Sequence, residues 1–403
     1  MKKYTLTAIA LVVACASQAH AAGYQLNEYS ITGLGRSFAG AGVMGDDYSA
    51  LAYNPAGMTL MKRSGLQGGM TVAEMQSTIK GNEDNIGQEA KMHYGVPLPS
   101  AFGQWNVNDR LFLGAGVYVP YGLSTKHKSG SFISGEARKS ELEVIDSSVA
   151  GAYKVTDKLS LGATVTLRYI HGNMTANLQP KTNAYGDANF DLDGWTGTGI
   201  LGAMYEFTPN TRVGVSYKLR SMQKVKGDFT LNAPFGASPL PSGTYVVDGE
   251  SAPDLPASLL ISGYHKLNDK IGLSSSVRWT EWSKSFPEFI MKSSLKNVEH
   301  NYQWKDSWTV AFGADYYHND NWTFRVGTAY DQSPAKDPVN RSNRIPDGDR
   351  IWLSAGLSYT SDNWQVDAGF AHLFMKKVDV EIGVPAEYSN SSNMYGINFQ
   401  YKF

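Results

Sequence analysis

The side chains that could do chemistry in this 403-residue chain do not group into a catalytic motif. Its eight histidines are scattered, Cys15 is the single cysteine, and no Cys/His spacing typical of a zinc site occurs. Neither the Gly-x-Ser-x-Gly nor the His-Glu-x-x-His pattern is present. A hydrolase would need a nucleophile and a base on neighbouring positions, and no such pair can be identified. We therefore expect no enzyme activity, no cofactor and no metal site.

Charged residues instead recur at alternate positions within apolar stretches. In residues 159–169, Leu161, Val165 and Leu167 share one face, whereas Thr164 and Arg168 share the other. The same period of two recurs in residues 212–220, 308–316, 322–331, 351–359 and 395–403. Such a period predicts strands with one apolar and one polar face. The polar faces could meet bulk water in a soluble β-sandwich, or they could line the lumen of a membrane barrel.

The amino-terminus reads as a secretory signal. Lys2 and Lys3 precede a short apolar region from Leu6 to Ala16, and Ala19-His20-Ala21 forms a small-residue cleavage site. The apolar region is too short to cross a bilayer as a helix. We expect residues 1–21 to be removed by cleavage after Ala21. A lipoprotein box at residues 12–15, which would leave Cys15 acylated, is the alternative.

The composition excludes several classes of protein. The formal net charge of −1 gives no reason to expect a nucleic-acid partner, and no stretch of about 18 apolar residues follows the signal. Aromatic residues make up 12% of the chain, with 23 Tyr and 9 Trp, and there are 41 Gly. This combination is typical of a barrel with a polar lumen and aromatic rims.

The lengths of the connections alternate between short turns and long polar stretches, as in outer-membrane barrels. The long polar stretches, predicted as loops, lie near 121–139, 173–192, 227–253, 332–347 and 381–392. The pattern predicts an all-β fold, a 14-stranded antiparallel transmembrane β-barrel occupying residues 63–403. The predicted strands lie near 66–80, 93–106, 110–119, 140–155, 158–173, 193–207, 211–226, 254–267, 270–290, 303–317, 321–331, 348–360, 363–379 and 393–403. A barrel of this width cannot be filled by its own side chains, so its lumen must be plugged or open.

The chain ends on an aromatic residue, Phe403, at the close of an alternating strand. A terminal Phe of this kind looks like the signal by which outer-membrane assembly machinery recognises its clients. We therefore expect a monomer in the outer membrane of a Gram-negative bacterium, with that machinery and outer-membrane lipid as partners.

Residues 22–62 do not read as a strand. The segment is rich in Gly, Ala and Ser and contains Asn54-Pro55-Ala56-Gly57, so turns and short helices are predicted. Its apolar residues are numerous enough to pack inside a barrel, which predicts an amino-terminal hatch in the lumen. A disordered leader is the alternative.

Several short motifs occur along the chain: Ala-Gly-Tyr-Gln-Leu-Asn-Glu at 22–28, Gly-Leu-Gly-Arg at 33–36, Asp46-Asp47, Asn54-Pro55-Ala56, Asn-Trp-Thr-Phe-Arg at 321–325, Asp-Gln-Ser-Pro at 331–334 and the stretch from Ile345 to Gly356. Together they resemble the FadL/TodX family of outer-membrane transporters. The resemblance covers nearly the whole mature chain.

The resemblance implies a fourteen-stranded barrel with a hatch, which carries long-chain fatty acids or other hydrophobic molecules inward without an energy source. An outer-loop groove would receive the substrate, a lumenal pocket would bind it, and a gap in the third strand would release it sideways. The matching stretch holds Gly116, Pro120 and Gly122. Pro120 cannot donate to a β-ladder, so local unpairing is reasonable, although Pro120 could also simply end a strand.

The resemblance also suggests ligand-binding residues. Lys305 matches the family's inner-pocket lysine, and Tyr24 would approach the pocket from the hatch. Where the family has an arginine at the lumen end of the fifth strand, this chain has His171, with Arg168 three residues earlier. Neutral His is a poorer partner for a carboxylate than Arg. These charged residues could equally belong to a structural network. An aromatic-hydrocarbon transporter of the same family and a structural or adhesive barrel are the alternative functions.

Overall fold

The protein is described by a computed structural model that covers residues 23–178, 186–234, 240–285 and 288–403. The signal peptide predicted over residues 1–21, its cleavage after Ala21 and the alternative at Cys15 lie outside the described residues. No helix within the described ranges is long and apolar enough to cross a membrane.

Twenty-one strands make up most of the described chain. In chain order they are β1 (Gly65–Gly81), β2 (Glu89–Asn106), β3 (Leu111–Lys126), β4 (Lys139–Lys154), β5 (Leu159–Leu178), β6 (Gly186–Thr208), β7 (Thr211–Lys218), β8 (Ser221–Met222), β9 (Val225–Ala233), β10 (Gly243–Ser251), β11 (Asp254–Leu255), β12 (Ser258–Lys266), β13 (Ile271–Thr280), β14 (Glu288–Ser293), β15 (Val298–Asn301), β16 (Ser307–Tyr317), β17 (Trp322–Asp331), β18 (Arg350–Thr360), β19 (Trp364–Met375), β20 (Val378–Val380) and β21 (Ala386–Lys402).

Fourteen of these strands close into an antiparallel barrel, as the sequence predicted. Each pairs with its neighbour along the chain, with β7 joined to β12, β13 to β16 and β19 to β21. Closure comes from β1 and β21, which pair from Gly65↔Lys402 to Gly81↔Ala386. Because both ends of the barrel chain meet at this seam, the first and last strands leave no free edge there.

Several strand bounds differ from those expected. The seventh strand ends at Lys218 rather than near 226, and the ninth ends at Thr280 rather than near 290. The stretches 121–139 and 173–192, predicted as loops, supply the outer ends of β3, β5 and β6. Polar residues continue these strands because, above the membrane, neither face of a strand has to be apolar.

The outward face of the barrel is apolar, as a lipid-facing surface must be. Val165 is 67% exposed and Ile397 60%, whereas the inward Arg168 and Gln400 are fully buried. Near the short-turn end, aromatic rings form a girdle in which Trp322, Tyr359 and Trp364 follow one another at centroid distances of 4.9 and 5.4 Å. Aromatic side chains of this kind mark the membrane–water interface.

The barrel sheet extends beyond the ring at the long-loop end. The outer part of β6 pairs with β9, β9 with β10, β10 with β14, and β14 with β15. The region 227–253, predicted as a polar loop, is therefore largely a β-hairpin. Phe229 of this hairpin packs against Phe190 of β6 at a centroid distance of 4.4 Å, and such inward apolar side chains extend the hydrophobic interior above the barrel.

The amino-terminal segment, residues 23–64, contains only short helices. These are α1 (Ile31–Leu34) and two 3-10 helices (Tyr48–Ala52 and Pro55–Leu60), and further short helices occur at Glu83–Asn85, Trp282–Ser285 and Pro338–Asn340. Ser30 caps α1, Asp47 caps the next helix and Asn54 caps the third, each by accepting a backbone N–H. Most of the segment is buried, and it contacts strands from many parts of the ring, including β5, β6, β18, β19 and β21. We call residues 23–64 the amino-terminal segment from here on.

Candidate functional site

The wall of the barrel splits between β2 and β3. These strands pair only from Ala101↔Val117 to Asn106↔Phe112, and above that point β3 pairs with β4 alone. The amino-terminal segment takes the vacated position, because the Leu26 N–H donates to the Pro120 carbonyl at 2.8 Å and the Gly122 N–H donates to the Tyr24 carbonyl at 2.9 Å.

Pro120 lies at the centre of this split. The register of β3 against β4 shifts between Tyr118 and Tyr121, so β3 carries one extra residue there and forms a β-bulge. The strand then continues to Lys126, so the alternative that Pro120 merely ends a strand is wrong. On the other side of the split, Pro97 and Pro99 in β2 also lack a backbone donor, a signal that the sequence analysis missed.

Gly116 and Gly122 have separate roles beside the bulge. A Cβ on Gly116 would come within 2.4 Å of the Phe102 ring, so only glycine lets that ring pack against β3. Gly122 supplies the N–H that holds Tyr24. Across the split, the Tyr94 hydroxyl donates to the Ser124 carbonyl, so one side chain bridges the two separated strands.

Asn54 fastens the amino-terminal segment to the opposite wall. Its side-chain nitrogen donates to the carbonyl of Ala203 at 3.1 Å and that of Val215 at 3.4 Å, while its oxygen accepts the Ala56 N–H at 3.1 Å. A Cβ on Gly202 would lie 2.1 Å from the Asn54 oxygen, so the wall needs glycine where the Asn54-Pro55-Ala56 turn rests.

Four charged groups join the segment to the strands farther round the barrel. Arg36 contacts Asp46 at 2.8 Å and the wall residue Asp315 at 2.9 Å, and the wall residue Arg325 contacts each aspartate at 3.2 Å. Burial would raise the pKa of Asp46, but the two guanidinium groups hold it well below its usual range. Because two cations face two anions, the cluster has no net charge and suits a fixed attachment.

Glu28 is a buried carboxyl that has no cation within ion-pair distance in the part of the chain that the structure describes. Its Oε2 accepts the Asn27 N–H at 2.7 Å, while Oε1 has no hydrogen-bond partner among the described residues. Burial raises the pKa of Glu28 to about 7. The group can therefore change charge near neutral pH in the middle of the packed segment.

An apolar pocket lies above the split, between the segment and the outer ends of the strands. It encloses about 590 Å³ of empty space, part of it open to solvent. Its lining comprises Tyr24, Leu123, Glu141, Leu142, Ile170, Gly172, Met174, Leu192, Val225, Ser251, Pro253, Leu255, Met291 and Ile345. The walls are almost wholly hydrocarbon, as in sites that bind hydrophobic ligands.

The floor of the pocket is aromatic. The Tyr24 ring meets Trp282 edge-on at a centroid distance of 4.8 Å and lies 6.0 Å from Trp304 and 6.1 Å from Tyr121. Gly23 has a φ of +66°, and a Cβ there would approach the Trp282 ring to 2.7 Å, so glycine is required for Tyr24 to reach this position.

The structure brings only some of the expected site residues together. Tyr24 lines the pocket, but the Lys305 side chain is exposed and is absent from the pocket lining. Its neighbour Trp304 carries the contact to Tyr24 instead. Arg168 lies in the lumen, where it binds Asp146 through two hydrogen bonds of 2.6 and 2.7 Å.

The position of His171 corrects its expected location at the lumen. Because side chains alternate along a strand, His171 shares the outward face of β5 with Leu167, which is 54% exposed, whereas Arg168 and Ile170 point inward. The His171 ring lies 3.7 Å from Asp191 outside the lumen.

Other residues of the site were not identified from the sequence as site residues. Tyr121, Trp282 and Lys218 come from three separate strands or connections, and only the fold brings them near Tyr24 and Arg168. The alternation in residues 212–220 places Lys218 on the polar face of its strand but assigns it no role. Asp347, which accepts the Gly23 N–H at 3.0 Å, lay within a recognised motif without an assigned role.

Residues 12–403 match the family described as outer membrane protein transport protein (OMPP1/FadL/TodX). The chain is 31% identical over 443 residues to the long-chain fatty acid transport protein of Escherichia coli O6:H1, and the match covers 99% of each protein. A FadL homologue from Pseudomonas aeruginosa superposes with a TM-score of 0.85 at 25% identity, covering 95% of this chain and 100% of that one. The CymD monoaromatic hydrocarbon channel shares the fold, with a TM-score of 0.70, 20% identity and coverage of 96% and 99%. The chain belongs to the OMPP1/FadL/TodX family of outer-membrane transport proteins.

Proposed function

We propose that this protein is a passive outer-membrane channel for hydrophobic molecules, with long-chain fatty acids as its main substrates. The observation that carries the proposal is the apolar pocket with Tyr24 in its floor, at the junction of the amino-terminal segment and the split wall. The similarity to a protein named for long-chain fatty acid transport, which extends over almost the whole chain, supports the substrate class.

The positions of the pocket, the amino-terminal segment and the split in the wall suggest a path for the substrate. A hydrophobe would leave the cell surface by entering the pocket, because its walls bury hydrocarbon without exposing unpaired polar groups. The amino-terminal segment acts as a hatch over residues 22–62, since its side chains are tied to the wall on opposite sides by Asn54 and by the Arg36 cluster. The substrate would then leave sideways through the region of Gly116, Pro120 and Gly122, where β2 and β3 are not paired.

Passive transport of this kind needs no energy source. The protein acts as a channel rather than as an enzyme. Among the described residues, no group of three or more His, Cys, Asp or Glu side chains is placed to hold a metal ion. The barrel-assembly machinery and outer-membrane lipid remain its expected partners, and closure of the ring within one chain is consistent with a monomer.

Neutral aromatic hydrocarbons are the second candidate substrates. The observation that favours them is the pocket lining, which contains no Lys, Arg or His among the described residues. Equilibrium binding of radiolabelled oleate and of toluene to the purified barrel tests the choice. Saturable oleate binding supports fatty acids as the main class, whereas toluene binding without oleate binding would favour the second candidate. Binding of neither would contradict the proposed function.

A further inference from the structure

Lys218 is a buried lysine that lacks an acidic partner. It is the last residue of β7, points into the lumen, and is only 9% exposed. Within the described ranges, no carboxylate lies within ion-pair distance of its Nζ and no hydrogen-bond acceptor is in contact. The Nζ rests over the Tyr121 ring instead, 4.7 Å from the centroid. Burying an ammonium group without a counter-charge is costly, so its retention in the lumen needs a reason.

The neighbouring charges increase the need for an anion at this place. A second cation, the Arg168 guanidinium, lies 5.2 Å from the centroid of the same Tyr121 ring. The carboxylate of Asp146 uses both of its oxygens to accept hydrogen bonds from Arg168. The resident carboxylate therefore neutralises Arg168, and the charge of Lys218 is left uncompensated.

The rings of Tyr121 and Tyr24 separate Lys218 from the apolar pocket. The Tyr121 ring that carries Lys218 is 6.1 Å from the Tyr24 ring, and Tyr24 forms the pocket floor. The pocket surrounds a hydrocarbon tail with apolar side chains, and Glu141 is the one charged side chain among the described residues that line it. Because Glu141 is paired with Lys139, the lining offers no cation to a carboxylate, whereas Lys218 would stabilise one.

We propose that Lys218 anchors the carboxylate of an amphiphilic substrate below the Tyr24 layer, while the tail occupies the apolar pocket. This inference rests on the proposed function and adds the binding site for the head group. It predicts that the channel prefers a carboxylated amphiphile to a neutral one of the same length. Reaching Lys218 requires the Tyr24 or Tyr121 side chain to move aside, so the anchored state is a second step after entry into the pocket.

The test compares radiolabelled oleate with oleyl alcohol, which has the same tail and no charge, by equilibrium binding to purified protein in neutral detergent. Lys218→Met should weaken oleate binding about ten- to a hundred-fold, the range for one charge-assisted hydrogen bond, and leave oleyl alcohol binding unchanged. Lys218→Arg should keep oleate binding. Lys158→Met, at an exposed turn, is the matched control.

Each other outcome has a defined meaning. Unchanged oleate affinity in Lys218→Met would overturn the assignment, and an equal loss for both ligands would show that Lys218 acts through structure. If Lys218→Met does not give a heat-modifiable barrel band on gels, Lys218→Gln provides the same comparison, because it removes the charge but keeps a polar donor. Binding of neither ligand by the unaltered protein would contradict the proposed function itself.

Discussion

The backbone N–H of Leu26 donates to the carbonyl of Pro120 at 2.8 Å, so the amino-terminal segment continues the sheet where β2 leaves β3. The amino-terminal segment and the split in the wall are therefore parts of one hydrogen-bonded arrangement. Any change that releases the segment also exposes the unpaired edge of β3, and any change that restores the pairing of β2 with β3 removes the place of the segment.

Deleting Pro120 should narrow the split. The deletion removes the extra residue of the bulge, so the outer half of β3 can move toward β2, although Pro97 and Pro99 still leave β2 without two donors. We expect oleate uptake to fall to near background while the barrel still assembles and migrates as a heat-modifiable band. Uptake at the level of the unaltered protein would show that the substrate does not leave through this region. Deletion of Asn108, in the short turn after β2, is a control for the loss of one residue.

Asn54→Ala should loosen the hatch without removing the protein from the membrane. The change takes away the donor to the carbonyls of Ala203 and Val215, and each lost hydrogen bond costs about 0.5–1.5 kcal/mol. We expect reduced uptake and faster hydrogen exchange in residues 48–60, measured by mass spectrometry. Gly202→Ala should give the same result from the wall side, because its Cβ would collide with the Asn54 oxygen. Unchanged exchange in both variants would mean that the turn is held elsewhere.

Removing residues 22–62 from the mature protein should raise ion conductance in planar bilayers. A barrel of fourteen strands is too wide to be filled by its own side chains, and the segment supplies the material that occupies the lumen. Conductance equal to that of the intact protein would contradict the role of the segment as a hatch and favour a leader outside the barrel.

The packing of the hatch should weaken as the pH rises through neutrality. Burial raises the pKa of Glu28 from 4.5 to about 7, so below pH 4.5 the carboxyl is neutral in both the packed and the released state. Between the two values only the released state ionises, and stability falls with increasing pH. We expect more frequent opening events at pH 8 than at pH 5 in single-channel recordings, and Glu28→Gln should remove this difference. A pH dependence that persists in Glu28→Gln would assign the effect to another group.

The carboxy-terminal residue should matter for assembly rather than for transport. The Phe403 N–H donates to the Ser64 carbonyl at 2.9 Å, and its side chain is 51% exposed on the outer surface. Deleting Phe403 should reduce the amount of folded barrel in the outer membrane more than Phe403→Tyr does, as measured by heat modifiability. Equal effects of the two changes would argue against recognition of the terminal aromatic ring.

Alternation and turn spacing were sufficient to predict the barrel, because lipid on one side and a polar lumen on the other impose a period of two on every strand. They failed where that constraint ends: β7 stops at Lys218, and a hairpin of β9 and β10 replaces an expected loop. At the site, the sequence motif around Tyr24 was enough to predict that Tyr24 lies at the pocket, because the residues of this motif follow one another in the chain. Lys218, Tyr121 and Trp282 could not be grouped in advance, since their proximity depends on which strands face each other across the lumen.

The most direct test of the account is oleate uptake by a Gram-negative strain that lacks its own fatty-acid channel and expresses this protein. Two variants that introduce the same large side chain should be compared: Leu192→Trp, which fills the pocket, and Val165→Trp, which faces lipid. We predict uptake with the unaltered protein and with Val165→Trp, and near-background uptake with Leu192→Trp at equal amounts of folded barrel. Full uptake with Leu192→Trp, or no uptake with the unaltered protein, would contradict transport through this pocket.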